Sequence, residues 1–251
     1  RQVFAKVPGL NIWESDFAGL QLDIAARGLG PSRTANFNTR QNGYDMSADA
    51  LGYPESYYMP AIQAVEKIEV VRGAASLQYG TQFGGMLNFQ MKRPSSNPIK
   101  VELEQAAGSF GLFNSFISAS GTVKKFEYYS YYQYRVGDGW RDNSSFDAHQ
   151  SFIGLGYQAT DKLKVSFEYS FLDYEAQQPG GLTDDDFENG DLSMSRRSRN
   201  WFNVNWNLFA FITDYKFSSS TSLNVRSFLL HSNRDALGNL QQIGVPDDPN
   251  S

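Results

Sequence analysis

The chain has 251 residues, a net charge of −5 and no cysteine. That excludes a disulfide scaffold and any thiolate metal site. The scattered basic residues leave no electrostatic footprint for nucleic acid. Hydrophobic residues make up 41% and aromatics 15%, the mean hydropathy is negative, and no run approaches the roughly 18–20 apolar residues of a spanning helix. A barrel strand, which shows only about ten alternating residues, remains open. The chain begins at Arg1 with neither an initiator methionine nor a signal sequence, which reads as a processed or truncated product.

In chain order, residues 1–94 are irregular and glycine-punctuated, with short apolar bursts. Val65, Ile68, Val70 and Val71 make a short apolar strand flanked by Glu69 and Arg72, charges tolerable only if paired or facing water. Gly73, Gly80, Gly84 and Gly85 permit the tight turns of a compact unit with little regular structure. The stretch Pro94-Ser95-Ser96-Asn97-Pro98 cannot continue a central strand and reads as a connector over 95–98.

From 99 to 251 the character changes to repeated alternation. Leu163, Val165, Phe167, Tyr169 and Phe171 alternate with Lys162, Lys164, Ser166, Glu168 and Ser170. Phe126, Tyr128, Tyr132, Tyr134 and Val136 oppose Lys125, Glu127, Gln133 and Arg135. Val204, Trp206, Leu208, Ala210 and Ile212 oppose Asn203, Asn205 and Asn207, and Leu223, Val225 and Leu229 face away from Asn224 and Arg226. A period of two marks strands with one apolar face. With weaker segments near 99–107, 112–120 and 149–158, the pattern predicts about seven strands of the length a tilted membrane strand needs. Tight turns at 122–124, 159–161 and 218–221 alternate with longer connections at 137–147 and 175–198, as when one barrel end bears turns and the other loops. A soluble antiparallel sandwich also alternates. Aromatics crowding the strand ends, and a polar face of Asn, Ser, Gln and charge suited to a wet lumen, favour the membrane.

The segment Ala64-Val65-Glu66-Lys67-Ile68-Glu69-Val70-Val71-Arg72-Gly73-Ala74-Ala75-Ser76-Leu77-Gln78-Tyr79-Gly80, continuing through Gly84-Gly85-Met86-Leu87-Asn88-Phe89 to Arg93-Pro94, resembles the plug signature of TonB-dependent outer-membrane receptors. Val7-Pro8-Gly9-Leu10, Ile24-Ala25-Ala26-Arg27-Gly28 and Asn42-Gly43-Tyr44 stand where such plugs carry a Pro-Gly turn, an Arg-Gly strand end and a hairpin. Arg40-Gln41-Asn42-Gly43-Tyr44-Asp45, Gly52-Tyr53-Pro54 and Gln177-Gln178-Pro179-Gly180-Gly181-Leu182-Thr183-Asp184 look like the ferric-dicitrate branch.

The resemblance implies a mainly β protein: a small mixed α/β plug over 1–94, incomplete at its N-terminus, inside a transmembrane antiparallel β-barrel whose N-terminal strands occupy 99–251. It implies a bacterial outer-membrane receptor that imports a ferric chelate of siderophore or ferric-dicitrate type, with the chelate as cargo and no cofactor. TonB at the periplasmic side and outer-membrane lipid are the implied partners. About seven strands cannot close around a plug, so the chain is expected to be a piece of a longer receptor, without the TonB box and most of the barrel. A cobalamin or oligosaccharide transporter, or a signalling or structural part of an envelope assembly, stays open.

Among residues, Arg27, Glu69 and Arg72 are expected to serve plug–barrel ion pairing. Arg33, Asn36, Arg40, Gln41, Tyr53 and Tyr57 are expected at a ligand-binding plug apex, where arginine forks, tyrosines and amides suit an anionic chelate; solvated loop residues are the alternative. Asp184-Asp185-Asp186 lacks the spacing and turn glycine of a calcium loop and reads as a solvated acidic loop. His149 and His231 have no partner motif, Gly28-Leu29-Gly30 lacks a βαβ context, and neither Ser76 nor Ser115 has a histidine partner, so an enzyme is not expected.

Overall fold

The computed structural model describes residues 9–13, 23–26, 28–30, 34, 37–47, 57–72, 84–239, 241–245 and 247. The larger of its sheets has seven strands: β7 (Lys100–Ala107), β8 (Phe113–Val123), β9 (Phe126–Gly137), β10 (Phe146–Gln158), β11 (Leu163–Gln177), β12 (Trp201–Lys216) and β13 (Ser222–Leu237). Each pairs antiparallel with its neighbour in sequence, a plain meander. All seven expected strands are present, longer at the loop-bearing end than alternation alone predicts.

The turns explain the meander locally. Lys124 takes a positive φ of 56° in the two-residue link from β8 to β9, a geometry that matches the strand twist. Thr160 turns β10 into β11, its hydroxyl accepting from Lys162 N and Leu163 N at 3.2 and 3.1 Å. These links and residues 217–221 share one end of the sheet; 108–112, 138–145 and 178–200 share the other. Before β7, the connector crosses β8 at Gly121, where a Cβ would stand 2.1 Å from the Pro98 carbonyl. Thr122 secures it, donating from N to Asn97 O at 2.9 Å and from Oγ1 to Ser95 O at 2.7 Å.

A smaller mixed sheet runs β4-β3-β6-β5, with β3 (Phe37–Gln41), β4 (Tyr44–Asp45), β5 (Val65–Arg72) and β6 (Gly85–Met91). Strands β3 and β6 are parallel, and β5 and β6 antiparallel. A hairpin of β1 (Leu10–Trp13) and β2 (Asp23–Ala26) pairs separately, with Ile24 and Ala26 packed into the same core as Phe37 and Tyr44. The small sheet packs on one face of the large one. Tyr44, Met46, Tyr57, Tyr58, Leu87 and Phe89 share a core with Leu172, Tyr174, Phe202, Val204, Trp206 and Leu208.

That packing corrects the expectation of a uniformly polar inner face. On β12 the apolar positions Val204, Trp206, Leu208, Ala210 and Ile212 are buried against the small sheet, while Asn203, Asn205 and Asn207 point outward. Strand β11 changes partway. Lys164, Ser166, Glu168 and Ser170 share the inner face with Leu172 and Tyr174, and the outer face passes from Phe167, Tyr169 and Phe171 to Asp173 and Glu175. The outer face is thus apolar toward the turn-bearing end, with Ile153, Leu155, Phe211 and Leu229 exposed. Toward the loops it is polar, where Asn205 donates to Asp173 at 3.1 Å and Tyr169 to Asn207 at 2.8 Å.

Candidate functional site

The contact between the two sheets is organised around the β3–β4 hairpin. Asn42 and Gly43 both take positive φ, 46° and 87°, the Asn-Gly geometry of a tight two-residue turn. Every polar group of Asn42 is engaged. Its N donates to Phe89 O at 2.9 Å, and its Oδ1 accepts from Met91 N at 3.0 Å, fixing the turn to β6. Its Nδ2 reaches both carboxylate oxygens of Glu168 on β11 at 2.9 Å, and its carbonyl accepts from Arg226 Nε on β13 at 2.8 Å.

Tyr44 adds a third bond to Glu168, from OH to Oε2 at 2.7 Å. Gln41 donates to Ser170 Oγ at 2.9 Å and accepts from Tyr58 OH at 2.8 Å. Burial, then the Glu168 charge, pushes the Tyr44 phenol well above its ordinary range. Burial pushes Tyr58 up to about 12. Both phenols therefore stay protonated near neutrality and serve as donors. Further along, Gln150 Nε2 donates to Met59 O at 2.5 Å, Ala61 N to Tyr131 OH at 3.2 Å, and Gln63 Nε2 to Glu104 at 2.8 Å.

Two cavities flank the hairpin. One, of about 710 Å³, is lined by Arg40, Glu69, Asn88, Asp214 and Arg226 among others. The other, of about 340 Å³, runs beside Lys92, Phe152, Gly154 and Gly156. Asn42, Glu127, Lys164, Ser166 and Glu168 line both.

The loop-bearing end is built differently. Tyr57 packs on Phe202 at 5.6 Å and edge-on to Trp206 at 6.3 Å. The Arg234 guanidinium lies 4.6 Å from the Phe202 ring centre and 5.6 Å from that of Tyr57. Trp206 Nε1 and Ser232 Oγ, register partners across β12 and β13, are buried and have no hydrogen-bond partner among the described residues.

Above them the connections are tied to one another. Arg141 donates to Gly180 O and Met194 O, both at 2.8 Å. Buried Arg197 donates to Gln241 O, Gln242 O and Val245 O at 2.9, 3.0 and 2.9 Å. The acidic run at 184–186 is not simply solvated. It opens α1 (Asp184–Asn189), where Thr183 and Asp186 form a reciprocal cap and Asp186 is buried against Arg196. Arg196 first, and Thr183 second, hold the Asp186 carboxyl well below the usual carboxylate range.

The residues singled out in the sequence fall in different places. Arg27, Arg33, Asn36 and Tyr53 lie outside the described residues. Arg40 lines the larger cavity and donates to Asn38 Oδ1 at 2.7 Å and Gly43 O at 2.8 Å. Gln41 is buried between the sheets, and Tyr57 stands at the loop-bearing end. Glu69 pairs with Lys67 at 2.8 Å and accepts from Asn88 at 2.9 Å, both within the small sheet. Arg72 is exposed at the end of β5. Glu168, Ser170, Arg226 and Arg234 were not singled out. The one signal for Glu168 was an acid on a strand face that continues into Leu172 and Tyr174.

Residues 1–86 match the family model for the TonB-dependent receptor plug domain. Residues 1–86 thus carry a plug domain of the TonB-dependent receptor type. Among curated proteins it is 31% identical over 109 residues to the ferric enterobactin receptor PirA of Pseudomonas aeruginosa, a match covering 38% of this chain and 14% of that one. It is 26% identical over 135 residues to the ferrichrome outer membrane transporter/phage receptor of Escherichia coli K12, covering 52% and 17%. Among solved structures, the unliganded ferric citrate transporter FecA superposes with a TM-score of 0.81 at 22% identity, covering 94% of this chain and 37% of that one. The chain thus spans well under two thirds of each of these proteins. By these likenesses the small sheet corresponds to a plug and the seven-stranded sheet to barrel wall.

Proposed function

We propose that the receptor of which this chain forms the plug and adjoining wall imports a ferric chelate across the outer membrane, driven by the TonB system. The observation that carries this reading is the seating of the plug. A small sheet is held against one wall by a few directional bonds and a core at its loop-bearing side, an arrangement suited to blocking a lumen and to moving within it. The likeness to a ferric enterobactin receptor supports a ferric chelate as cargo.

The loop-bearing end is the ligand end in this reading. Arg234, exposed on β13 at that end, offers guanidinium donors, which suit the oxygens of an anionic chelate, over Tyr57 buried against Phe202 and Trp206. The chemistry is capture and release, with no covalent step asked of the protein.

The test is tryptophan-fluorescence titration of the intact receptor with ferric citrate and a panel of ferric siderophores, with radiolabelled iron uptake in cells with and without TonB. Saturable binding of one chelate and TonB-dependent uptake are expected. Absence of both for every iron chelate would move the cargo to another ligand class.

A further inference from the structure

We propose that Arg197 is a positioning residue for ligand capture. With Asn143 it fastens the connections 138–145, 178–200 and 238–247 into one preformed body, which stays fixed while ligand binds. The consequence for capture rests on the import reading above; the fastening itself does not.

The three connections follow β9, β11 and β13 at one end of the sheet. Arg197 is 4% exposed and works in both directions. Its guanidinium reaches the third connection, donating to Gln241 O and Val245 O at 2.9 Å and to Gln242 O at 3.0 Å. Its own carbonyl is held by the first, through Asn143 Nδ2 at 2.5 Å. One residue of the middle connection thus binds both neighbours. Asn143 Nδ2 also lies 3.2 Å from Gln178 O and 3.1 Å from Asn200 O. Its φ of 53° suits asparagine. Asp247 closes the far side, accepting from Ser198 N and Asn239 Nδ2, both at 2.7 Å.

The Pro179-Gly180-Gly181 stretch fits the same junction. A Cβ on Gly180 would stand 2.6 Å from Arg197 Cγ, and one on Gly181 would stand 2.8 Å from Ile243 Cδ1. Bare backbone there lets the arginine stem and the third connection approach. A buried guanidinium and the carbonyls it serves are costly to leave unpaired, so the junction holds together or fails as a unit.

The fastened body roots the ligand end. Asn200 is gripped from three sides, by Asn143, by Gln178 N at 2.9 Å and by Asn239 N at 3.0 Å. Two residues on, Phe202 carries the Arg234 guanidinium at 4.6 Å. With these segments already ordered, binding loses no conformational entropy in ordering them.

Two measurements on the full-length receptor test this, each variant verified as folded by the heat-modifiable gel shift of the barrel. The first needs no chelate. Spin labels are placed pairwise through Trp140→Cys, Phe187→Cys and Gly244→Cys, in a stretch with no cysteine of its own. Trp140 and Phe187 are exposed, and a Cβ on Gly244 meets nothing within 4 Å. Pulsed electron paramagnetic resonance is expected to give narrow distance distributions in the otherwise wild-type receptor and broad ones with Arg197→Ala or Asn143→Gly. Equally narrow distributions in both variants overturn the fastening. A shift of the wild-type distances on chelate binding overturns the fixed body.

The second reads capture. Arg197→Ala is expected to raise the Kd for the chelate, and the KM of import, about tenfold, with the maximal import rate unchanged. An unchanged Kd overturns the positioning role. Adding Ser198→Cys and Asp247→Cys to Arg197→Ala and oxidising the pair is expected to restore the affinity, and reduction to remove it again. Affinity that stays low with the disulfide closed assigns the guanidinium to direct contact with the chelate and overturns positioning. If wild type binds no ferric chelate, the import reading has failed, and the label distances still decide the fastening.

Discussion

The side-chain amide of Asn42 spans both carboxylate oxygens of Glu168, 126 residues further along the chain, at 2.9 Å each. The turn that makes this possible needs a residue that tolerates positive φ and carries an amide, and asparagine meets both needs. Asn42→Gly keeps the backbone and loses the amide; Asn42→Ala loses both. Leaving Glu168 short of a donor costs about 1–3 kcal/mol, and the alanine adds roughly 1–2 kcal/mol of backbone strain. Hydrogen exchange of β3 and β6 amides in the full receptor is expected to rise in the order wild type, glycine, alanine. Equal exchange in the two variants would remove the backbone part of this account.

Trp206 fills the plug–wall core with its indole N–H unpaired among the described residues. Trp206→Phe removes that donor and retains most of the aromatic surface, so its effect on thermal stability is expected to be small. Trp206→Ala leaves a cavity and is expected to cost about 3–5 kcal/mol. A large loss for the phenylalanine variant would show that the indole N–H has a partner in the complete receptor.

The change along the outer face locates the lipid. Phe211 lies in the apolar part and is 52% exposed; Asn205 lies six residues nearer the loops on the same face of β12. Phe211→Arg is expected to cost roughly 2–4 kcal/mol of folding stability in lipid vesicles if it sits near the midplane, and Asn205→Arg close to nothing. Equal costs would refute the assigned membrane level.

Loop order should depend on acid. The carboxyl of Asp186 is held below its ordinary value of 3.8 by Arg196 and Thr183. A folded-state value below the unfolded one stabilises the loop above the ordinary carboxylate range, and that contribution fades as pH falls below it. Acid-stable protease cleavage within 178–200 is expected to increase as pH drops below about 3.8. Asp186→Asn is expected to be cleaved readily across the whole range. A variant with the wild-type pH profile would place the transition elsewhere.

Much of the fold was legible because period-two alternation is a local property. The strand at Leu163–Phe171 and its tight turns could be read without knowing what lies opposite them. Which face meets the lipid was not, because alternation carries no inside or outside. On β12 the asparagines looked like lumen residues, yet their apolar neighbours turn inward, since the plug brings its own apolar surface of Tyr44, Tyr57 and Leu87. Glu168 was hidden for a related reason. A lone acid on a polar strand face looks solvated until a hairpin more than a hundred residues away arrives to bond it. The hairpin itself was visible as Asn42-Gly43; its target was not.

On β11 the outward apolar run extends from Leu163 to Phe171. At about 3.3 Å per residue and a tilt near 45°, that is roughly 21 Å of depth. Such a strand is short for an average bilayer and well suited to the bacterial outer membrane, which is thinner than average. In a thicker host membrane, Asp173 and Asn205 would be drawn toward hydrocarbon, and the lipid would have to thin around this wall. Bilayer thickness, set by acyl-chain length in reconstitution, therefore acts as an external control on this receptor's stability.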